Sequence, residues 1–203
     1  MFLKRLFILI IFGSFVASGS TQELTDTVKV HFLYGSKPAK GYKKTEAKLF
    51  GGIKGGHVNI EAHGYVLDFL PGKNPLLPSK KSPTGGYHLN TSTSIDSTDK
   101  WLTIYIPINT LQSQKLDSIF KTFSENTPYD YAIFGMRCAA ASYDVLSKIG
   151  LFPELPVHKN VAKHFYPKLL RKKMIKWAKK NNYTVIRHEG KASRKWEKDE
   201  GIF

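Results

Sequence analysis

Apolar and polar positions alternate over Val28-Lys-Val-His-Phe-Leu-Tyr34, putting Val28, Val30, Phe32 and Tyr34 on one face, the period of a half-buried strand. The same period returns in His57-Val-Asn-Ile-Glu61 and Tyr65-Val-Leu-Asp-Phe-Leu70, and the turn-like Ala62-His63-Gly64 between them predicts a β-hairpin. Trp101 to Ile106 predicts a further strand and Tyr183 to Arg187 a last one. Elsewhere the period lengthens to 3.6. Leu116, Ile119, Phe120 and Phe123 predict a helix capped by Asn109 or Thr110, and Ser142, Val145, Leu146 and Ile149 predict a second that starts at or near Cys138 and stops at Gly150. Residues 168 to 181 predict a basic helix with Leu170, Met174 and Trp177 as its buried stripe, while Pro71 to Asp99, dense in Pro, Gly, Ser, Thr and Lys, reads as a long loop or lid. Together the elements predict an α+β fold, a small antiparallel sheet packed on the helix that carries the cysteine.

The N-terminus adds a different kind of signal. Lys4 and Arg5 precede an apolar run from Leu6 to Val16 and the small, polar stretch Ala17-Ser18-Gly19-Ser20. That run is about half the ~20 residues a spanning helix needs, so residues 1 to 20 are expected to be a signal peptide and the chain to be exported, periplasmic or secreted, with an uncleaved membrane anchor as the alternative. Residues 25 to 203 are then long enough for one domain with its own core, ending in a basic helical extension. Cys138 is the single cysteine of an expected exported chain, so it has no intrachain disulfide partner. It is an inert buried residue, an intermolecular bridge or a reactive thiol. The net charge of +15 is concentrated late: from Lys159 onward there are fourteen Lys or Arg against four Asp or Glu. In an exported protein such a surface suits anionic lipid headgroups or wall polymers, contacted through residues 168 to 181, and no nucleic-acid partner is expected.

Position decides among the readings of Cys138. At a helix N-terminus the aligned peptide dipoles and free N–H groups favour thiolate over thiol, lowering the pKa from about 8.5. A nucleophile also needs a base, and the base a third group that fixes its orientation. His57 and Asp68 meet both needs: a two-residue turn through Ala62-His63 sets Asp68 opposite His57, and one through His63-Gly64 sets it opposite Asn59, on the same face either way. Gly55-Gly56 and Gly51-Gly52 precede His57 without the ending of a phosphate loop, and are expected to allow positive φ or close backbone approach there. Glu61 lies four residues along the strand from His57, roughly 13 Å at ~3.3 Å per residue, too far to orient it. His63 reads as a surface turn residue, and the remaining histidines have no defensible partner spacing. The chain has neither a Cys-x-x-Cys nor a His-x-x-x-His motif, so no metal or other cofactor is expected.

Three segments carry a resemblance: Gly56-His57-Val-Asn-Ile, Gly64-Tyr-Val-Leu-Asp68-Phe-Leu-Pro71, and Tyr129-Asp-Tyr131 leading to Arg137-Cys138-Ala on a helix. Over roughly residues 50 to 150 they resemble the circularly permuted papain-like superfamily, whose relatives include NlpC-type cell-wall peptidases, permuted bacterial amidases and the lecithin:retinol acyltransferase group. The histidine strand precedes the cysteine helix, as in permuted members. The resemblance implies Cys138 as nucleophile, His57 as base and Asp68 as the third, polar member. It differs at Arg137, where many relatives carry Asn or Asp. Tyr129 and Tyr131 are candidate oxyanion donors beside the Cys138 N–H, and with Arg137 they are the expected substrate contacts. The implied activity is a thiol-dependent amidase or peptidase acting on a cell-wall peptide. The alternatives are a lipid-directed acyltransferase or hydrolase at a membrane surface, and a non-catalytic binding module of the same fold.

Overall fold

The computed structural model describes residues 24–35, 37–38, 55–73, 76–79, 85–93, 95, 97–190 and 193–194. The N-terminal segment expected to direct export and Gly51-Gly52 lie outside them. The alternating segments become strands β1 (Leu24–Tyr34), β3 (Gly56–Ala62), β4 (Tyr65–Leu70), β6 (Trp101–Asn109) and β7 (Val185–His188). With β5 (Gly86–Asn90) they form a six-stranded sheet in the order β5-β4-β3-β1-β6-β7, each neighbouring pair antiparallel. Two short strands, β2 (Lys37–Pro38) and β8 (Ser193–Arg194), pair parallel in a second sheet. The helices are α1 (Thr110–Glu125), α2 (Cys138–Lys148), α3 (Val157–Lys163) and α4 (Pro167–Lys180). The protein is thus a mixed α+β structure.

One face of the sheet meets the helices. Val28, Val30 and Phe32 of β1, Val58 and Ile60 of β3, and Leu102, Ile104, Ile106 and Ile108 of β6 share a single buried cluster with Leu116 and Phe120 of α1, Val145 and Leu146 of α2, and Leu170 and Met174 of α4. Burying one such aliphatic side chain contributes about 1.5–3 kcal/mol, so this layer is the main source of stability. Asn109 caps α1: its side chain accepts from the Gln112 N–H, and the Gln112 side chain accepts from the Asn109 N–H, a reciprocal capping box.

Three expectations are corrected. The span 71–99 is not loop throughout, because Gly86–Asn90 adds an edge strand to β4. A short helix, α3, lies between Pro156 and α4, where no element was expected. In α4 the stripe is Leu170, Arg171, Met174 and Ala178, while Trp177 is half-buried and packs its ring against Phe152 and Tyr183.

The polar positions of the strands hold a further surprise. By register Asp68, Asn59, His31 and Thr103 are successive neighbours across β4, β3, β1 and β6, on the face turned from the helices, yet all four are buried. Part of the cover comes from the loop after β5, where Thr93 Oγ1 accepts from Asn59 Nδ2 at 3.3 Å.

Candidate active site

The hairpin resolves the register. Asn59 pairs with Asp68 and Ala62 with Tyr65, so the turn is His63-Gly64. Both turn residues have positive φ, 52° and 78°, as a type I′ turn demands. Asp68 therefore stands diagonal to His57 on one face, and its Oδ1 lies 2.7 Å from His57 Nε2. Just before the histidine, Gly56 takes φ 101°, and a Cβ there would stand 2.1 Å from the Leu33 carbonyl oxygen. Glycine is the residue that lets β3 approach β1 this closely where the histidine begins.

Asp68 is held by more than the histidine. Asn90 Nδ2 donates to its second oxygen at 3.2 Å, and Asn59 supplies a further side-chain hydrogen bond. Burial acts to raise the carboxyl pKa, but these donors and the charge of His57 outweigh it and hold Asp68 below its ordinary value. The carboxylate stays ionised where no solvent reaches it.

Cys138 is the first residue of α2, and its N-cap, Arg137, places no side chain on the helix's free N–H groups. The register of β3 against β4 ends at Asn59 and Asp68, and the Val58 N–H is directed to the Cys138 sulfur. The His57 imidazole is coupled electrostatically to the same sulfur, and with Nε2 engaged by Asp68 the nitrogen left for it is Nδ1. A continuous chain runs Asp68–His57–Cys138. Burial disfavours the imidazolium, yet the bonds to Asp68 and Cys138 and their negative charges push His57 up to about 10. Burial likewise opposes the thiolate, but the His57 bond and charge, the Arg137 charge and the Val58 N–H hold the thiol below its usual range. Both shifts run toward a thiolate paired with an imidazolium. The sulfur lies beneath the surface; the imidazole, 18 % exposed, is the part of the pair that solvent reaches.

The tyrosines divide. Tyr131 hydrogen-bonds Arg137 and feels the charge of Cys138, and burial together with that charge pushes its phenol up to about 12, so it remains a neutral donor beside the thiol. Tyr129 instead spends its hydroxyl on Tyr87, 2.5 Å away, and on Asp144 of α2 at 3.2 Å. Its ring lines an apolar groove of about 770 Å³, with Met136, Phe165 and Phe134 among the other walls. Arg137 lies with its guanidinium 5.0 Å from the Phe165 ring.

Two histidines judged partnerless or superficial in the sequence have partners. His31 Nε2 meets Glu61 Oε2 at 2.8 Å and its Nδ1 meets Thr103 Oγ1 at 3.0 Å, while Lys29 Nζ reaches the other Glu61 oxygen at 2.5 Å. His63 is clamped between Asp26 and Asp117, the latter at 2.5 Å, with Ser113 Oγ 2.9 Å from its Nε2. The first of these was foreshadowed by the shared parity of His31 and Glu61 on strands, but their pairing needed the β1–β3 register. Among the described residues no three His, Cys, Asp or Glu side chains are grouped to hold a metal ion. No protein-family model, curated protein or solved structure matches the chain.

Proposed function

We propose that the protein is a cysteine hydrolase of the permuted papain-like kind, cleaving an amide through an acyl-enzyme on Cys138. The observation that carries this reading is the buried chain Asp68–His57–Cys138, in which strand and helix each supply one partner of a thiolate–imidazolium pair. The Cys138 thiolate attacks the carbonyl carbon, and the charge that develops on the carbonyl oxygen is met by the Cys138 N–H at the start of α2 and the Tyr131 hydroxyl. His57 then gives its Nδ1 proton to the leaving amine. Neutral His57 takes a proton from water, which adds to the thioester carbonyl, and collapse releases the acid and restores the thiolate. Asp68 stays ionised throughout and fixes the imidazole so that Nδ1 faces the sulfur. Export, argued from residues 1 to 20, favours an amide of the cell wall as substrate.

The test is labelling by a thiol-reactive probe at pH 6.5, which reads one site because the chain has one cysteine. Wild-type protein should be labelled rapidly and His57→Ala at least tenfold more slowly, since the variant's thiol returns toward its ordinary pKa. Equal labelling of the two would defeat the dyad.

A further inference from the structure

Four of the largest exposed apolar side chains stand around one groove. Val157 and Phe134 line it, and Leu76 and Leu77 precede Pro78 of its wall on a segment tied down by the Phe134 N–H, which donates to the Leu76 carbonyl at 2.9 Å. Their exposures are 57 %, 58 %, 62 % and 67 %, where a folded chain ordinarily keeps such residues scattered and singly exposed. The groove beneath them is walled by Pro78, Met136, Val161 and Phe165, and its volume of about 770 Å³ lies in the range of ligand sites. The carboxylate in its wall, Asp130, is buried and accepts the Ser79 and Gly85 N–H groups at 2.7 and 3.3 Å.

The charge beside this apolar rim has one sign. Residues 157 to 180, which include the groove wall contributed by α3 and continue into α4, contain nine Lys or Arg and no Asp or Glu. Lys159, Lys163, Lys172, Lys173 and Lys176 are exposed, and none of them is in an ion pair among the described residues. An apolar rim bordered by unneutralised ammonium groups matches the two layers of a lipid surface that bears anionic headgroups over acyl chains. A wall polymer would satisfy the lysines alone and would leave the leucines and Phe134 in water.

We propose that this face docks on an anionic bilayer: Leu76, Leu77, Phe134 and Val157 enter the headgroup boundary, Lys159 and Lys163 meet the headgroups, and the groove receives an apolar chain of a lipid. Two of the groove's walls connect to the residues that lead into the thiol. Met136 lies two residues before Cys138, and Phe165 lies under the guanidinium of Arg137, the residue before it. Taken with the hydrolase reading, which it deepens, the docked substrate is an amide or ester attached to a membrane-borne apolar chain. The docking itself needs no thiol chemistry.

Sedimentation of the full chain with vesicles tests it, using phosphatidylcholine alone and phosphatidylcholine mixed with phosphatidylglycerol. Binding should require the phosphatidylglycerol and fall with added salt. Lys159→Ala/Lys163→Ala should weaken partitioning about thirty-fold, from the loss of roughly one headgroup attraction per lysine. Leu77→Asp/Phe134→Asp should weaken it at least tenfold, and Leu111→Asp, at an equally exposed leucine on α1, should leave it unchanged. In wild-type protein, vesicles should slow amide hydrogen exchange in 76–79, 132–136 and 157–163. Cys138→Ala should bind vesicles as wild type does, so a failed thiol assay and a failed docking assay are told apart. Unchanged partitioning of both double variants, or protection confined to α4, would overturn the proposal.

Discussion

Replacing Asp68 by Asn keeps the shape of the side chain and removes its charge, which isolates what the carboxylate does for His57. The bond it makes is 2.7 Å long and lies on a side chain with no exposed surface, so solvent does not screen it. A hydrogen bond to a charged group of this kind contributes about 1.5–3 kcal/mol. At about 1.36 kcal/mol per pH unit, its loss lowers the imidazolium by roughly one to two pH units. His57 in the variant then gives up its proton at lower pH than the wild-type value of about 10. The thiol moves the other way, because a weaker cation beside it stabilises the thiolate less, and the pH window of the ion pair narrows from both ends. The assay is the rate of iodoacetamide alkylation against pH, followed by mass, with the single cysteine as the only thiol read. The control is Glu61→Gln, which removes a carboxylate of the same sheet face that is committed to His31 and Lys29. Superimposable profiles for wild type and Asp68→Asn, or an equal change in Glu61→Gln, would refute the assignment of Asp68.

Other substitutions test the framework that holds the pair. Gly56→Ala should destabilise the protein by several kcal/mol in urea melts and slow Cys138 labelling, since the new Cβ would meet the Leu33 carbonyl and φ 101° is closed to alanine; Gly64→Ala, with open space around it, should cost only about 1 kcal/mol and leave labelling intact. Asn109→Ala should cost about 1 kcal/mol by removing the side-chain half of the α1 capping box, with no effect on the thiol. Burial acts against a charged His63, but its bonds to Asp26 and Asp117 prevail and raise its pKa. Its stabilisation is therefore complete below the unfolded value of about 6.5 and is lost as pH rises through the raised folded value, and His63→Gln should flatten that limb of a stability-against-pH curve.

The strands and the long helices were readable because each buries one face against one neighbour, so Val28-Val30-Phe32 or Leu116-Ile119-Phe120-Phe123 imprints its period on the chain. β5 was not readable. Gly86-Tyr-His-Leu-Asn90 is an edge strand whose only buried residues are its first two, and its pairing with β4 is made by backbone groups that leave no trace in side-chain type. α3 spans two turns with a single buried residue, Asn160, whose side chain donates to the Ala140 carbonyl at 2.9 Å, so no apolar stripe announces it. Binary patterning says less about the second face of the sheet. The alternation there marks polar positions without saying which are covered, yet His31, Asn59, Asp68 and Thr103 are buried, and register, not composition, places them side by side.

Within the site the division is the same, and it says where the chemistry is set. That His57 and Asp68 share a face followed from counting residues across a two-residue turn, and that Cys138 opens a helix followed from the spacing of Val145, Leu146 and Ile149 behind it. What no count could supply is the meeting of the two elements. Besides the imidazole and the Arg137 charge, the sulfur is met by the Val58 N–H, the smallest of the influences that lower the thiol pKa, in β3 beyond the last pair of the β3–β4 register. An uninterrupted hairpin would direct that N–H to β4, leaving the thiolate dependent on His57, the Arg137 charge and the start of α2. The place where the ladder stops is thus part of the thiol's environment, beside the histidine. A substitution that extends the β3–β4 pairing by one residue pair should raise the thiol pKa without touching His57, Asp68 or Cys138.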